Sequence, residues 1–205
     1  MRLRFLIASG PTQEPLDPVR YLSNNSTGVM GRHLVGEAKR RGHRVTHVES
    51  PRDARTARDL EKKLRALLPK HDVFIMASAV CDVRPALFSQ VKIKKERLWT
   101  IPVVKNPDIL AGLAKKRKKG QVFIGFGLES NRMKKKGYQK LKSKGLELIV
   151  LQRVTTNEAP FGEKPIQALV MDNHKQCREF KSISKKKLAG FLVQEAEKLS
   201  RLKIA

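Results

Sequence analysis

The nine residues Asp72–Val80, DVFIMASAV, are the most hydrophobic run in the chain, and their apolar and polar positions do not alternate. A strand with one face in water alternates with a period of two. A run this short that does not alternate reads as a strand covered on both faces, the middle of a parallel sheet. Parallel neighbours need crossover helices between them, and the preceding sequence supplies both. Leu3–Ala8 is apolar apart from Arg4 and ends at the turn signal Ser9-Gly10-Pro11-Thr12. Met30, Leu34 and Ala38 then fall on one helical stripe, with Gly42 as a natural stop. Arg44–Glu49 is a second short strand ended by Pro51, and Ala57, Leu60, Leu64 and Leu67 mark a second helix closed by Pro69. Strand, helix, strand, helix, strand predicts an α/β fold: a Rossmann-like, doubly wound, mostly parallel sheet with helices on both faces. Ligands of such sheets bind beyond the carboxyl ends of the strands. That rule brings together the loops after Ala8, Val48 and Val80.

The loop after Val80, CDVRPALFSQVKIKKE, carries the charged pair Asp82 and Arg84, suited to a site but equally to a turn ion pair. Strand alternation in VKIKKE places Lys92 and Lys94 on one side and Ile93 on the other. This predicts a small β-hairpin extension with Leu98–Val103 as the partner strand, its lysines either guarding an edge or reaching over the site. Asn106-Pro107-Asp108 reads as a helix start with Asn106 at the N-cap, and Ile109, Leu110 and Leu113 supply the buried face. Val122–Phe126 is a further strand, followed by a basic helix over about Arg132–Lys144 and strands at Leu146–Leu151 and Ile166–Met171. Between the last two, TTNEAPFGEKP is too rich in Pro and Gly to be regular, and loops of that length in compact domains are often functional. Leu188, Phe191, Leu192, Ala196 and Leu199 define a last helix. No repeat or linker interrupts residues 1–205, so one domain is expected.

Forty-four Lys and Arg against 19 acids give a formal charge of +25, with basic runs at 115–120, 134–136 and 185–187. Phosphates reward clustered cations. Aromatics are only 5% of the chain, though, and none is interleaved with the runs as a stacking platform requires. The runs therefore read as solvated helix faces, and specific nucleic-acid binding is not expected. No apolar segment approaches the roughly 18 residues of a membrane helix. The N-terminus reads as a strand rather than a signal peptide. Cys81 and Cys177 have no metal-ligand spacing, which predicts free thiols in a reducing cytoplasm.

The chemistry concentrates in DPVRYLSNNSTGVMG, Asp17 to Gly31, between the first strand and the first helix. The first N–H groups of a helix lack intrahelical acceptors and can hold an anion, and Gly28 and Gly31 let backbone approach a ligand closely. A capped helix after an ordinary loop is the plainer alternative, and the loop's length and polarity weigh against it. There is no Walker A motif, nucleophile elbow, HExxH, zinc spacing or strict GxGxxG. The histidines at 33, 43, 47, 71 and 174 do not cluster and read as surface or helix-end residues. What remains is an electrophile-stabilising inventory of backbone N–H groups, Asn24, Ser26 and lysines, suited to displacement at a phosphate. The residues alone lead to a nucleotide or phosphate-ester site.

SGPTQEPLDPVRYLSNNSTGVMG resembles the signature of phosphopantothenate–cysteine ligases, with its E-P-x-D-x-V-R and S-N-x-S-[ST]-G segments. SAVCDVRPA, KIKK, KNPDIL and GFGLESN follow in that family's order, so the resemblance runs to about Asp172. It implies ligation of 4′-phosphopantothenate and L-cysteine through an acyl-nucleotide, with release of pyrophosphate and nucleoside monophosphate, in coenzyme A biosynthesis. CTP is the nucleotide of the bacterial type, ATP the other option, with Mg²⁺ and no flavin. It implies a stand-alone synthetase, a homodimer, and a separate flavin-dependent decarboxylase as partner. By resemblance, Asn24 holds the acyl-nucleotide and Lys92 handles it, while Ser26 and Gly28 contact phosphate oxygens. Nucleotide contacts fall to Gly10, Ser78, Asp82, Asn106, Pro107, Asp108, Ile109 and Phe126, with Lys140 and Lys144 near the triphosphate. Phe161-Gly162 stands where the family has a mobile lid. No metal ligands are assigned.

Three positions depart from the pattern: Val29 for a usual lysine or arginine, Pro11 for a glycine, and Leu151-Gln152-Arg153 for an A-N-D-like triplet. The alternatives are a non-catalytic nucleotide-binding relative and, on charge alone, a basic nucleic-acid-associated protein.

Overall fold

A computed structural model describes residues 1–155 and 159–204. The elements follow in the order β1 (Arg4–Pro11), β2 (Gln13–Pro15), β3 (Tyr21–Ser23), α1 (Val29–Arg40), β4 (Arg44–Glu49), α2 (Ala57–Leu67), β5 (Val73–Ala79), β6 (Val83–Pro85), β7 (Val103–Lys105) and α3 (Ile109–Ala114). They continue with β8 (Val122–Glu129), α4 (Met133–Ser143), β9 (Leu148–Arg153), β10 (Ile166–Asp172), β11 (Cys177–Ile183) and α5 (Lys185–Ile204). The main sheet runs β11-β10-β9-β8-β5-β1-β4, parallel from β9 to β4, with β10 and β11 antiparallel at one edge. This is the doubly wound sheet expected from the sequence, with β5, the DVFIMASAV strand, near its middle.

The period of two sorts each buried strand between two cores. Leu6, Phe74, Met76 and Phe123 face one side with Leu60 and Leu64 of α2, Leu113 of α3 and Leu141 of α4. Phe5, Ile7, Ile75 and Ile124 face the other with Leu34 of α1 and Leu188, Leu192 and Val193 of α5. Local signals set the ends: Thr56 and Asp59 form a capping box at the start of α2. β1 crosses to β4 on one side and the chain then returns to β5 on the other. The strand order thus reverses between β1 and β5, and a crevice opens beyond their carboxyl ends.

Several local expectations are corrected. The hairpin extension pairs Val83–Pro85 with Val103–Lys105, not the KIKK segment with Leu98–Val103. The reason is competition for backbone groups. Ile93 N–H donates to Asp17 Oδ2 (3.1 Å) and Ile93 C=O accepts from Arg20 Nη2 (3.0 Å), so neither is free for a ladder. The cap of α3 is Asp108, whose carboxylate accepts from Ala111 N–H at 3.1 Å, and not Asn106, whose amide is engaged elsewhere. The β2–β3 hairpin inside the first long loop, and the edge strand β11, were not anticipated. β11 is mostly exposed, without the apolar pattern that marks a buried strand. His43 and His71 end helical segments as expected but are buried rather than on the surface.

Candidate active site

The crevice is a cleft of about 460 Å³. Its floor is the carboxyl end of β5, from Met76 to Cys81, and one wall is the loop Asn24–Gly28 leading into α1. Gly28 caps that helix in the left-handed conformation (φ 71°), and no side chain caps the first turn, which also lacks an acid. A Cβ on Gly28 would meet only the movable ends of Glu49 (2.9 Å) and Arg32 (3.0 Å), so it is the left-handed φ that calls for glycine. Asn24 Nδ2 donates to Ala79 C=O at 3.1 Å and to Cys81 Sγ at 3.9 Å, which leaves its Oδ1 for a ligand. Ser78 Oγ is buried at the cleft floor without a hydrogen-bond partner.

The opposite wall is charged. Lys144 pairs with Asp108 (2.9 Å), and Lys140 and Lys136 pair with Glu129 (2.6 and 2.8 Å). Burial alone would push the Asp108 carboxyl up, but the Lys144 ammonium and the Ala111 N–H hold it below the usual carboxylate range. Glu129 follows the same logic, its burial outweighed by the two lysines. Asn106 is fixed by three bonds: its N–H to Asp82 C=O (2.8 Å), its Nδ2 to Cys81 C=O (2.9 Å), and its Oδ1 from Arg84 (3.2 Å). Arg84 is thus engaged with Asn106 and the Lys105 carbonyl, leaving exposed Asp82 available. Burial raises the Cys81 thiol above its ordinary pKa, so it lines the cleft as a neutral group.

Of the residues singled out in the sequence, Asn24, Ser26, Gly28, Ser78, Asp82, Asn106, Pro107, Asp108, Ile109, Phe126, Lys140 and Lys144 all line this cleft. Gly10 and Lys92 do not. Gly10 (φ 78°) lies behind the wall, where a Cβ would meet Ser50 O at 2.0 Å. Its role is to let β1 pass the turn after β4. Lys92 is exposed on the segment held by Asp17 and Arg20. Of the stretch expected as a lid, Pro160 and Phe161 line the cleft and Gly162 N–H donates to Thr27 Oγ1 (3.3 Å); residues 156–158 lie outside those described. Val29 is buried at the start of α1, Gln152 lines the cleft and Arg153 lies in the neighbouring groove. Sequence reasoning missed Lys185. It sits in the cleft wall at 3% exposure and donates to Pro160 C=O (2.7 Å) and Gly162 C=O.

Residues 1–199 match the family described as DNA/pantothenate metabolism flavoprotein C-terminal domain. The chain belongs to that family. The coenzyme A biosynthesis bifunctional protein CoaBC of Escherichia coli (strain K12) is 37% identical over 187 residues, covering 84% of this chain and 44% of that protein. The chain spans about half the length of the curated relatives it matches. A crystal structure of the C-terminal domain of CoaBC superposes with a TM-score of 0.78 at 26% identity, covering 97% of this chain and 98% of that one. A Cab2 mutant in complex with phosphopantothenate-cysteine shares the fold (TM-score 0.75, 16% identity), over 99% of this chain and 89% of that one. The family and the Rossmann-like fold inferred from the sequence are thereby shown. No helix among the described residues is long and apolar enough to cross a membrane.

Proposed function

We propose that this domain joins 4′-phosphopantothenate to L-cysteine in coenzyme A biosynthesis, through an acyl-nucleotide formed from CTP. The observation that carries the reading is the cleft at the β1/β5 reversal, which gathers an open helix N-terminus, Asn24, Ser78 and the lysine wall. In the first step the substrate carboxylate attacks the α-phosphorus and pyrophosphate leaves. In the second the cysteine amine attacks the acyl carbon, loses a proton and expels the nucleoside monophosphate. Neither step needs a strong base from the protein. Both need charge neutralised and atoms aligned, which backbone N–H groups, Asn24 and lysines supply. Ser26 and Gly28 serve the phosphate oxygens. Asp82, Asn106, Asp108, Ile109 and Phe126 serve the nucleoside, with Lys140 and Lys144 for the triphosphate.

Mg²⁺ fits as a passenger of the triphosphate rather than a resident. Among the described residues no three His, Cys, Asp or Glu converge as a cage, and Asp82 is the carboxylate free to share the ion. The ion would offset triphosphate charge. Lys92, outside the cleft here, joins the reaction in this reading only if its segment swings inward. We place the protein in the cytoplasm, with a separate flavin-dependent decarboxylase acting next, on the cysteinyl carboxylate of the product. A homodimer is supported by the hairpin extension, where Leu87 (85% exposed), Phe88, Val91 and Trp99 (89% exposed) present apolar surface in one stretch. Trp99→Glu is expected to shift the protein to monomer in sedimentation.

The test is pyrophosphate release from phosphopantothenate and Mg²⁺ with CTP or ATP, with and without cysteine. Release that needs phosphopantothenate, with phosphopantothenoylcysteine formed once cysteine is added, is the expected result. Folded protein silent with both nucleotides overturns it in favour of a nucleotide-binding relative.

A further inference from the structure

Lys185 is out of place as an ordinary helix residue. It opens α5, with Lys186 and Lys187 beside it and no acid in the first turn, so three ammonium groups face the positive end of the helix dipole. Lys186 and Lys187 are exposed and shed that charge into water, whereas Lys185 is 3% exposed. A buried ammonium is ordinarily matched by a carboxylate. Among the described residues no carboxylate forms an ion pair with Lys185; Glu163, whose charge acts on it, is engaged with His33 at 2.9 Å. Burial accordingly pulls the Lys185 pKa below its ordinary value, with Glu163 acting weakly the other way.

The partners Lys185 does have are the carbonyls of Pro160 and Gly162, on either side of Phe161. An ammonium has three N–H donors, so two hold the lid stretch and a third remains for the cleft that Lys185 lines. The same stretch is tied to the other wall through Gly162 N–H and Thr27 Oγ1, and through Glu163 and His33 of α1.

We propose that Lys185 couples anion binding in the cleft to the seating of residues 159–163 over it. Its third N–H and its uncompensated charge meet a phosphoryl oxygen of the ligand while its other two donors hold the Pro160 and Gly162 carbonyls. The anion supplies the missing counter-charge and keeps Lys185 protonated, so the ammonium stays fixed between the ligand and the two carbonyls when the cleft is filled. Phe161 is then held over the bound group and water is kept from it. The inference rests on the proposed ligase site for the identity of the anion, but not for the coupling itself.

The experiment compares wild type, Lys185→Met and Lys185→Arg by hydrogen exchange of the 159–163 amides and by calorimetric binding, with CTP and with inorganic pyrophosphate as probes. In wild type either probe is expected to slow exchange at Phe161 and Gly162. Lys185→Met, which keeps the apolar stem, is expected to lose that gain and about tenfold or more in affinity. Lys185→Arg is expected to recover part of the affinity because it keeps the charge. Circular dichroism establishes that each variant is folded. A purely structural lysine would loosen the lid equally with and without probe and leave affinity unchanged, and that result overturns the proposal. If wild type ligates while Lys185→Met binds and protects as wild type does, the ligase stands and the coupling falls. If wild type fails to ligate but pyrophosphate protects its lid and not that of Lys185→Met, the coupling stands and the ligase falls. Wild type in which neither probe slows lid exchange overturns the coupling.

Discussion

The two ends of the parallel sheet differ in where buried polar atoms go without a partner. At the amino end, a residue one or two positions before each of several strands is polar, buried and engaged. Gln121 donates to Leu68 C=O (2.9 Å) and His71 C=O (2.6 Å) and accepts from Lys118 N–H. Glu147 accepts from Phe123 N–H (2.7 Å), Arg117 (3.0 Å) and Lys203 (2.6 Å). His71 Nδ1–H donates to Leu67 C=O and Nε2 accepts from Thr46, and His43 bridges Leu3 N–H and Glu197. At the carboxyl end Asp17 is engaged by three N–H groups and Glu14 by Ala57 N–H, but other buried atoms are left over. The buried side-chain atoms without a hydrogen bond, among the described residues, are Arg20 Nη1, Ser50 Oγ and Ser78 Oγ, all on that side. Arg20 Nη1 stands 3.5 Å from Asp17 Oδ2, an ion pair without hydrogen-bond geometry. The uncapped start of α1 and Lys185 belong to the same end. Unmet hydrogen-bonding capacity destabilises a fold unless something else meets it, so the end that leaves it unmet is the end built for a ligand.

If that contrast holds, damage at the amino end affects folding and spares the cleft. Glu147→Ala strands the buried Phe123 N–H and removes the counter-charge of Arg117 and Lys203, which keep the Gly145 and Gln121 carbonyls, and is expected to destabilise by about 2–3 kcal/mol in urea unfolding. The affinity of the remaining folded protein for CTP should stay within about twofold. A large loss of affinity would show that the two ends are not independent. Asn24→Ala is the converse. It removes one carbonyl contact at the rim, so the unfolding midpoint should hardly move. Ligation should fall about a hundredfold, the scale of one lost donor to a developing charge. Equal losses of stability and activity would place Asn24 in the scaffold.

A third measurement reads the amino end through pH. Bidentate pairing with Arg41, together with His43, holds the Glu197 carboxyl down at about 2, against an ordinary 4.5, although burial opposes this. A depressed carboxylate stabilises the fold above its unfolded pKa and loses that contribution as pH falls through the folded value. Stability at this pair is therefore complete near neutrality and lost between about pH 4.5 and 2. Its size is on the order of 2 kcal/mol once solvent screening of the partly exposed Arg41 is allowed for. Glu197→Gln should flatten that part of the profile while leaving the pH dependence of nucleotide binding alone.

The contrast also explains what the sequence disclosed. The apolar runs of β1 and β5, the α1 and α2 stripes and the Asn24–Gly28 loop were legible because each is a local pattern with one physical meaning. The KIKK segment misled because its alternation competes with Asp17 and Arg20, more than 70 residues away in the chain, for the Ile93 backbone. Asn106 misled similarly: its amide is a good cap in isolation but is claimed by Cys81 and Arg84. Lys185 was hidden inside a basic run that reads as solvated. The available signal was its position, since a lysine opening a helix opposes the dipole and calls for a reason.

The smallest effect is also the most discriminating. Ser78 Oγ has its surroundings in the cleft floor and no partner in the protein. Removing a hydroxyl that is buried and unmatched relieves a desolvation cost, so Ser78→Ala should leave stability unchanged or raise it by up to about 1 kcal/mol. If the hydroxyl awaits a ligand oxygen, the same change should weaken CTP binding by about 1 kcal/mol, roughly fivefold. Stability and affinity would thus move in opposite directions in one variant, which no packing defect produces. At the amino end the sign reverses. Gln121→Ala also deletes a buried polar side chain, but it takes the partner from the His71 carbonyl and from the Lys118 N–H, so stability falls and affinity does not. If Ser78→Ala were destabilising with affinity intact, Ser78 would join the satisfied scaffold, and the carboxyl end would lose its most direct sign of a ligand.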